Sequence, residues 1–368
     1  MRIERVELRL IELELVEPFE TSFGRETNRK AIIVALKSGG ATGWGECVAG
    51  SGPWYSYETV KTAWHVLEDH IIPELLGREL AGPEVLIEKL ARIRGHNMAK
   101  ACVEMAFWDL TAKLKEVSLS KLLGGTKEEI ESGISIGIQK SVSELLKVIE
   151  RRLGQGYRRV KIKIKPGWDL EVVRQVRQKY PSTLLMADAN SAYTLNDVAL
   201  FKALDEFNLL MIEQPLDYDD LVDHATLQKE LKTPICLDES IKTPDDARKA
   251  LELGSGKIIN IKPGRVGGFS NSKRIHDDCL ARGVPVWCGG MLETGIGRAH
   301  NVALASLPGF SLPNDISASE RYYKHDLVEP PFTLNPDGTI DVPRGPGIGV
   351  EVLHDQLAKA TLKRTSFA

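Results

Sequence analysis

The chain has little of what marks several large protein classes. Its five cysteines (Cys47, Cys102, Cys236, Cys279 and Cys288) are odd in number, scattered and free of any Cys-x-x-Cys pair. That argues against a disulfide framework or a thiolate zinc site and suits a reducing cytoplasm. The eight histidines include no His-x-His or His-x-x-x-His pair, so a histidine-built metal site has no local support. No Gly-x-Gly-x-x-Gly follows a strand-like run, and a dinucleotide fold is not indicated. No apolar stretch approaches bilayer length, and Met1-Arg2-Ile3-Glu4-Arg5-Val6-Glu7 lacks the apolar core of a secretory signal. A net charge of −3 gives no case for a nucleic-acid or anionic-membrane partner.

What is present is ordinary for a globular protein: 368 residues, 42% apolar and 27% charged. That length predicts one large barrel or two domains. Residues 1 to about 50 read as antiparallel strands: Ile3–Leu15, Ala31–Leu36 ending at Ser38-Gly39-Gly40, and a short run at Gly43–Cys47. Pro18–Gly24 between the first two reads as a loop whose Phe19 and Phe23 cover a site or anchor a turn. Residues 56 to 123 read as helices, with Asp109 a candidate ligand but more readily a capping or helix-surface carboxylate, and Gly124-Gly125 marks a boundary.

From 126 to about 325 the pattern alternates strand and helix. The expected strands are Ile134–Ile138, Val160–Ile164, Thr183–Ala187, Leu209–Ile212, Ile235–Leu237, Ile258–Ile261, Val284–Trp287 and Phe310–Leu312. Helices are expected at Ser143–Leu153, Leu170–Lys179 and Pro244–Leu253. Eight such units predict a (β/α) barrel. The Pro- and Gly-rich tail from 326, with Thr339–Val342, is expected to return to the N-terminal sheet.

Within the barrel region, Val160-Lys161-Ile162-Lys163-Ile164-Lys165 places three lysines on one strand face, a costly arrangement without an anionic counterpart. Stepping on from Lys163, Asp188, Glu213, Asp238 and Lys262 follow at intervals of 25, 25, 25 and 24 residues. Each closes an apolar run, and the step is about one strand plus one helix, so all five are expected on one rim. Three converging carboxylates repel unless a cation sits between them, and an all-oxygen set suits Mg²⁺ or Mn²⁺. A divalent cation stabilises the enediolate formed when a proton leaves the carbon beside a carboxylate, and a lysine can take that proton. Lysine bases paired with Mg²⁺ are a known solution for enolase-type sites. Taken alone, an Asp or Glu at such a place is more often a cap or turn residue than a ligand, and a Lys is more often solvated; the joint pattern carries the reading. Lys165, at the strand's exit, is the bland member.

These residues resemble the enolase superfamily, in its muconate-lactonizing-enzyme-like subgroup. The resemblance rests on Lys161-x-Lys163, Asp188-Ala189-Asn190, Glu213-Gln214-Pro215, Asp238-Glu239-Ser240 and Lys262. Pro18–Gly24, Ile164–Asp169, Lys262–Gly268 and Trp287–Asn301 are similar to the o-succinylbenzoate synthase / N-succinylamino acid racemase group. The resemblance implies a (β/α)7β modified TIM barrel with an α+β capping domain. The implied domains are 1–125 with a lid near 18–25, a barrel over 126–325, and a segment 326–368 returning to the cap.

It further implies Lys163 as base, Asp188, Glu213 and Asp238 as magnesium ligands, and Lys262 opposite as electrostatic stabiliser or second acid/base. Lys161 would be the electrostatic partner of Lys163, and Arg265 would tune Lys262. Glu239 would hold Lys161 or a metal ligand, and Ser135, Asn190, Met291, Phe19 and Phe23 would contact substrate. The implied partner is a small carboxylate, in a cytoplasmic homo-oligomer. The implied reaction is dehydration of a succinyl-bearing cyclohexadiene carboxylate in menaquinone synthesis, with N-acylamino acid racemisation beside it. A dedicated racemase, a dipeptide epimerase or cycloisomerase, and a non-catalytic barrel are the alternatives.

Overall fold

The computed structural model describes residues 1–368. Arg5–Thr21 (β1), Gly24–Ser38 (β2) and Ala41–Cys47 (β3) form an antiparallel meander. Glu129–Glu131 (β4) precedes seven parallel strands: Gly133–Ile136 (β5), Arg159–Lys163 (β6), Leu184–Asp188 (β7), Ile212–Glu213 (β8), Ile235–Leu237 (β9), Ile258–Ile261 (β10) and Val286–Cys288 (β11). Val328–Glu329 (β12), Thr339–Asp341 (β13), Glu351–Val352 (β14) and Thr361–Phe367 (β15) follow.

The run Ala31–Leu36 is apolar at every position because β2 is buried on both faces. Ile32, Val34 and Leu36 pack into the cluster formed with the cap's own helices, while Ala31, Ile33 and Ala35 join the cluster that extends into the barrel. The helix Asn97–Leu114 lies tight on β3. An added Cβ at Gly43 or Gly45 would collide with the carbonyls of Ala106 and Cys102. Asp109 is fully buried, not a surface carboxylate: it accepts from Trp44 N at 2.7 Å and Ile348 N at 2.8 Å, and pairs with Lys113 at 2.8 Å.

Pro18–Thr21 is not a loop. It extends β1 past an irregularity between Glu14 and Phe19, and only Ser22-Phe23 turns. The tail divides its pairing: β13 pairs with β4, and it is β15 that pairs antiparallel with β1.

The barrel helices begin where their caps sit. Ser141 caps Val142–Gly154, Asp169 caps Leu170–Lys179, and Thr243 with Pro244 opens Pro244–Leu253, which Gly254 closes at φ 74°. The parallel strands lie in chain order from β5 to β11, each hydrogen-bonded to the next. The eighth position is taken by Phe310–Asp315, which is not a regular strand. Ser311 N donates to Val286 O at 3.2 Å and Asp315 N to Cys288 O at 2.9 Å on one side, and Gly133 N donates to Asn314 O at 2.7 Å on the other. Pro313 has no N–H to give, which breaks the ladder there. All five cysteines are buried and unpaired, and no helix is long and apolar enough to cross a membrane.

Candidate active site

Lys163, Asp188 and Glu213 end β6, β7 and β8, and Asp238 and Lys262 follow directly on β9 and β10. Order along the chain therefore equals order around the rim, and two lysines bracket three carboxylates. All five are buried.

Lys163 Nζ donates to Asp188 Oδ2 at 2.6 Å, and Lys262 Nζ to Asp238 Oδ2 at 2.7 Å. Lys161 Nζ lies 2.9 Å from Glu213 Oε2 and 3.3 Å from Asp188 Oδ2, and also pairs with Asp315. Arg265 pairs with Asp238 and donates to Ile241 O at 2.7 Å and Asn260 O at 2.6 Å. It thus shares a carboxylate with Lys262, a direct route by which its charge reaches that lysine.

Burial opposes every one of these charges, and the outcome depends on the neighbours. Burial alone would lower Lys161 and Lys262, yet Asp315, Glu213 and Asp188 outweigh it at Lys161, and Tyr55, Glu213 and Glu239 at Lys262; both are raised. Asp188 is lowered because Lys163 and Lys161 overcome burial. Glu213 moves the other way, raised by burial and then by the like charge of Asp188, its partner across the β7–β8 register.

The carboxylates are not gathered into a cage: no group of three or more His, Cys, Asp or Glu side chains is arranged to hold a metal ion. Each of the three accepts from a lysine ammonium group instead. The donor chemistry nevertheless fits a hard divalent cation: adjacent buried carboxylates that repel, with Asn190 Oδ1 and Glu239 Oε2 buried beside them without a hydrogen-bond partner.

A cavity of about 450 Å³ opens above this rim. Lys161, Lys163, Lys262, Ser135, Asn190, Met291, Phe19 and Phe23 all line it, whereas Asp188, Glu213 and Asp238 lie behind the lysines. Lys163 Nζ is 5.9 Å from the Phe19 ring centroid. Phe23 sits at the hairpin turn, 40% exposed. Lys165 leaves the barrel and reaches Glu20 at 3.5 Å. Glu239 does not hold Lys161: its Oε1 accepts from Asn190 Nδ2 at 2.9 Å, and burial followed by the charge of Asp188 pushes its pKa up to about 7. Asn190, at φ 42°, turns the chain so that its own N–H donates to Asp188 Oδ1 at 3.0 Å.

Three residues join the site that the spacing did not reveal. Tyr55 Oη accepts from Lys262 Nζ at 3.1 Å and lies 3.2 Å from Asp238 Oδ1. Asp315 pairs with both Lys161 and Arg159 at 2.6 Å or closer, and those two pairs hold its carboxyl at about 2 against burial. Asn260 Nδ2 donates to Glu213 Oε1 at 2.7 Å. Asn260 is the polar residue inside the strand-like run Ile258–Ile261, and Asp315 follows Phe310–Leu312, a weak signal; Tyr55 had none.

A barrel rim with two lysines around three carboxylates, under an α+β cap, defines a class. The family model "Mandelate racemase / muconate lactonizing enzyme, N-terminal domain" matches residues 5–124, and "Enolase C-terminal domain-like" matches 144–356. The chain belongs to the enolase superfamily. A Geobacillus kaustophilus protein named o-succinylbenzoate synthase is 58% identical over 362 residues, spanning 98% of this chain and 96% of its own. A Thermus thermophilus protein named N-succinylamino acid racemase is 51% identical, spanning 98% of each. Among solved structures, an enolase-superfamily member from Listeria innocua superposes with a TM-score of 0.96 at 44% identity, covering 100% of this chain and 99% of its own.

Proposed function

We propose that the chain catalyses proton removal beside a substrate carboxylate. It would act as an o-succinylbenzoate synthase on 2-succinyl-6-hydroxy-2,4-cyclohexadiene-1-carboxylate and also as an N-succinylamino acid racemase. The observation that carries this reading is the lysine pair. Lys163 and Lys262 belong to strands four places apart in a ring of eight, hence on opposite walls, and both line one cavity. Relatives bearing both names, at 58% and 51% identity, support it.

In this reading Asp188, Glu213 and Asp238 hold Mg²⁺, with Mn²⁺ as a substitute. The bound ion supplies Lewis-acid stabilisation of the second negative charge on the substrate carboxylate. Lys163 takes the α-proton. In dehydration the same ammonium gives a proton to the departing hydroxyl, so base and acid act from one face. In racemisation Lys262 delivers a proton to the opposite face. Phe19 and Phe23 cover the cavity and exclude water, while Lys161 and Arg265 hold the carboxylates in place.

The test is a side-by-side assay of dehydration and of α-proton exchange of N-succinyl amino acids in D₂O, with magnesium and after chelation. Both activities should require the metal. Exchange of neither enantiomer would remove the racemase half, and full activity after chelation would remove the metal role.

A further inference from the structure

Away from the catalytic mouth, three guanidinium groups meet at one carboxylate. Glu17 on β1 accepts from Arg151 Nη2 at 2.6 Å and from Arg152 Nη2 at 2.9 Å, and Arg321 Nη1 stands 3.4 Å away. Arg151 and Arg152 lie in the last turn of the helix Val142–Gly154, where cations are favoured; Arg321 comes from the single turn Ser319–Arg321. Arg152 and Arg321 are only 7% and 5% exposed, yet the Nε of each has no hydrogen-bond partner. Gln155 Oε1 accepts Arg152 Nη1 at 3.0 Å.

These groups line a cavity of about 250 Å³. The exposed Glu320 also borders it, and even so three cations face two carboxylates. Burial, and then the like charge of Arg321, lower the pKa of Arg152, the mark of a cation short of anions. No residue of this wall belongs to the catalytic cavity.

Guanidinium forks match tetrahedral oxyanions, and buried donors without acceptors are costly. We propose that this cavity binds a small phosphate, as the free ion or as the head of a small phosphomonoester. Glu17, about a third exposed, is the internal competitor that occupies the donors when phosphate is absent. The inference stands apart from the catalytic reading.

Thermal unfolding of the full-length chain, titrated at constant ionic strength set with KCl, tests it with two probes, inorganic phosphate and glycerol 3-phosphate. A saturable rise in Tm is expected, and whichever probe acts at lower concentration names the source. Arg151→Gln, at a half-exposed position, should weaken the response about ten-fold through the lost charged hydrogen bonds. Arg152→Gln should abolish it. Glu17→Gln removes the competitor and should tighten it several-fold, an opposite sign that survives any folding defect in the arginine variants. No saturable response to either probe, or midpoints unchanged in Arg151→Gln and Glu17→Gln, would overturn the site.

Discussion

Glu46 and Asp188 are both almost fully buried carboxylates, and the molecule treats them in opposite ways. Glu46, on β3 of the cap, is answered by neutral donors at the start of the barrel helix Gly295–Ala305: Thr294 N at 3.1 Å, Thr294 Oγ1 at 2.6 Å and Gly297 N at 3.0 Å. Glu104, on the cap's long helix, does the same for Phe269–Ala281, accepting Phe269 N at 2.7 Å and Ser270 N at 2.9 Å. Neither carboxylate forms an ion pair. Backbone dipoles fix their position but do not repay burial in full, and Glu46 is pushed up to about 7 by burial, with Glu293 adding a like charge. Asp188 instead meets Lys163 and Lys161 and is lowered. The seam between cap and barrel thus uses carboxylates as fixed pegs. The mouth pairs them with charged side chains, which the proposed function would have released to substrate and to a metal.

The hardest break of that contrast is on the mouth side. Lys163→Ala should lower kcat for both dehydration and exchange by about 10⁴-fold, the upper range for a lost general base. Retained dehydration would take the base role from Lys163. Next is Asp315→Asn, which leaves Arg159 without its carboxylate partner inside the barrel, 5.1 Å from the Trp287 ring centroid, while Lys161 keeps Glu213 and Asp188. A buried cation left unpaired costs about 3–4 kcal/mol, readable as a lower urea midpoint; an unchanged midpoint would show that water reaches Arg159. Because Asp315 sits at about 2, below the ordinary 3.8, its contribution is present above pH 4 and fades as pH falls toward 2.

The seam should show the reverse dependence. The folded-state pKa of Glu46, about 7, lies above its ordinary 4.5, so the folded chain holds an extra proton between them. That contribution is complete below pH 4.5 and is lost as pH rises through 7. Wild type should lose on the order of 2 kcal/mol between pH 5 and 8 from this residue. Glu46→Gln should flatten that part of the stability profile, and parallel profiles would assign the slope elsewhere.

The contrast also explains what could be read from the chain beforehand. Lys163, Asp188, Glu213, Asp238 and Lys262 were legible because each ends one βα unit, so a fixed step in sequence becomes a neighbouring place on the rim. The helices Leu170–Lys179 and Pro244–Leu253 were legible to the residue because their caps and breakers are local. The eighth barrel position was misread as a regular strand because Phe310 is apolar and the effect of Pro313 appears only when both neighbours are in place. Asp109 looked like a surface charge because its acceptor role depends on Ile348, 239 residues away. Glu46 and Tyr55 carry no periodic signal at all. Their partners are assembled by the docking of cap on barrel, and no local pattern encodes that.

Tyr55 offers the finest test, because it joins the two regions. It comes from the cap, yet its hydroxyl accepts from Lys262 and its ring centroid lies 4.6 Å from that lysine's Nζ. Nothing comparable from Tyr55 reaches Lys163, whose partner is Asp188 at 2.6 Å. Tyr55→Phe keeps the ring and removes the hydroxyl's hydrogen bonds with Lys262, Arg265 and Asp238; losing the bond to the charged Lys262 costs about 1.5 kcal/mol or roughly ten-fold in rate. If Lys262 moves a proton only in racemisation, exchange from the Lys262 face should fall by that factor. Dehydration, run from the Lys163 face with Lys262 as a fixed charge, should fall less than three-fold. Equal losses in both reactions would mean that Lys262 contributes its charge alike to each, and that the cap does not distinguish the two faces of the substrate.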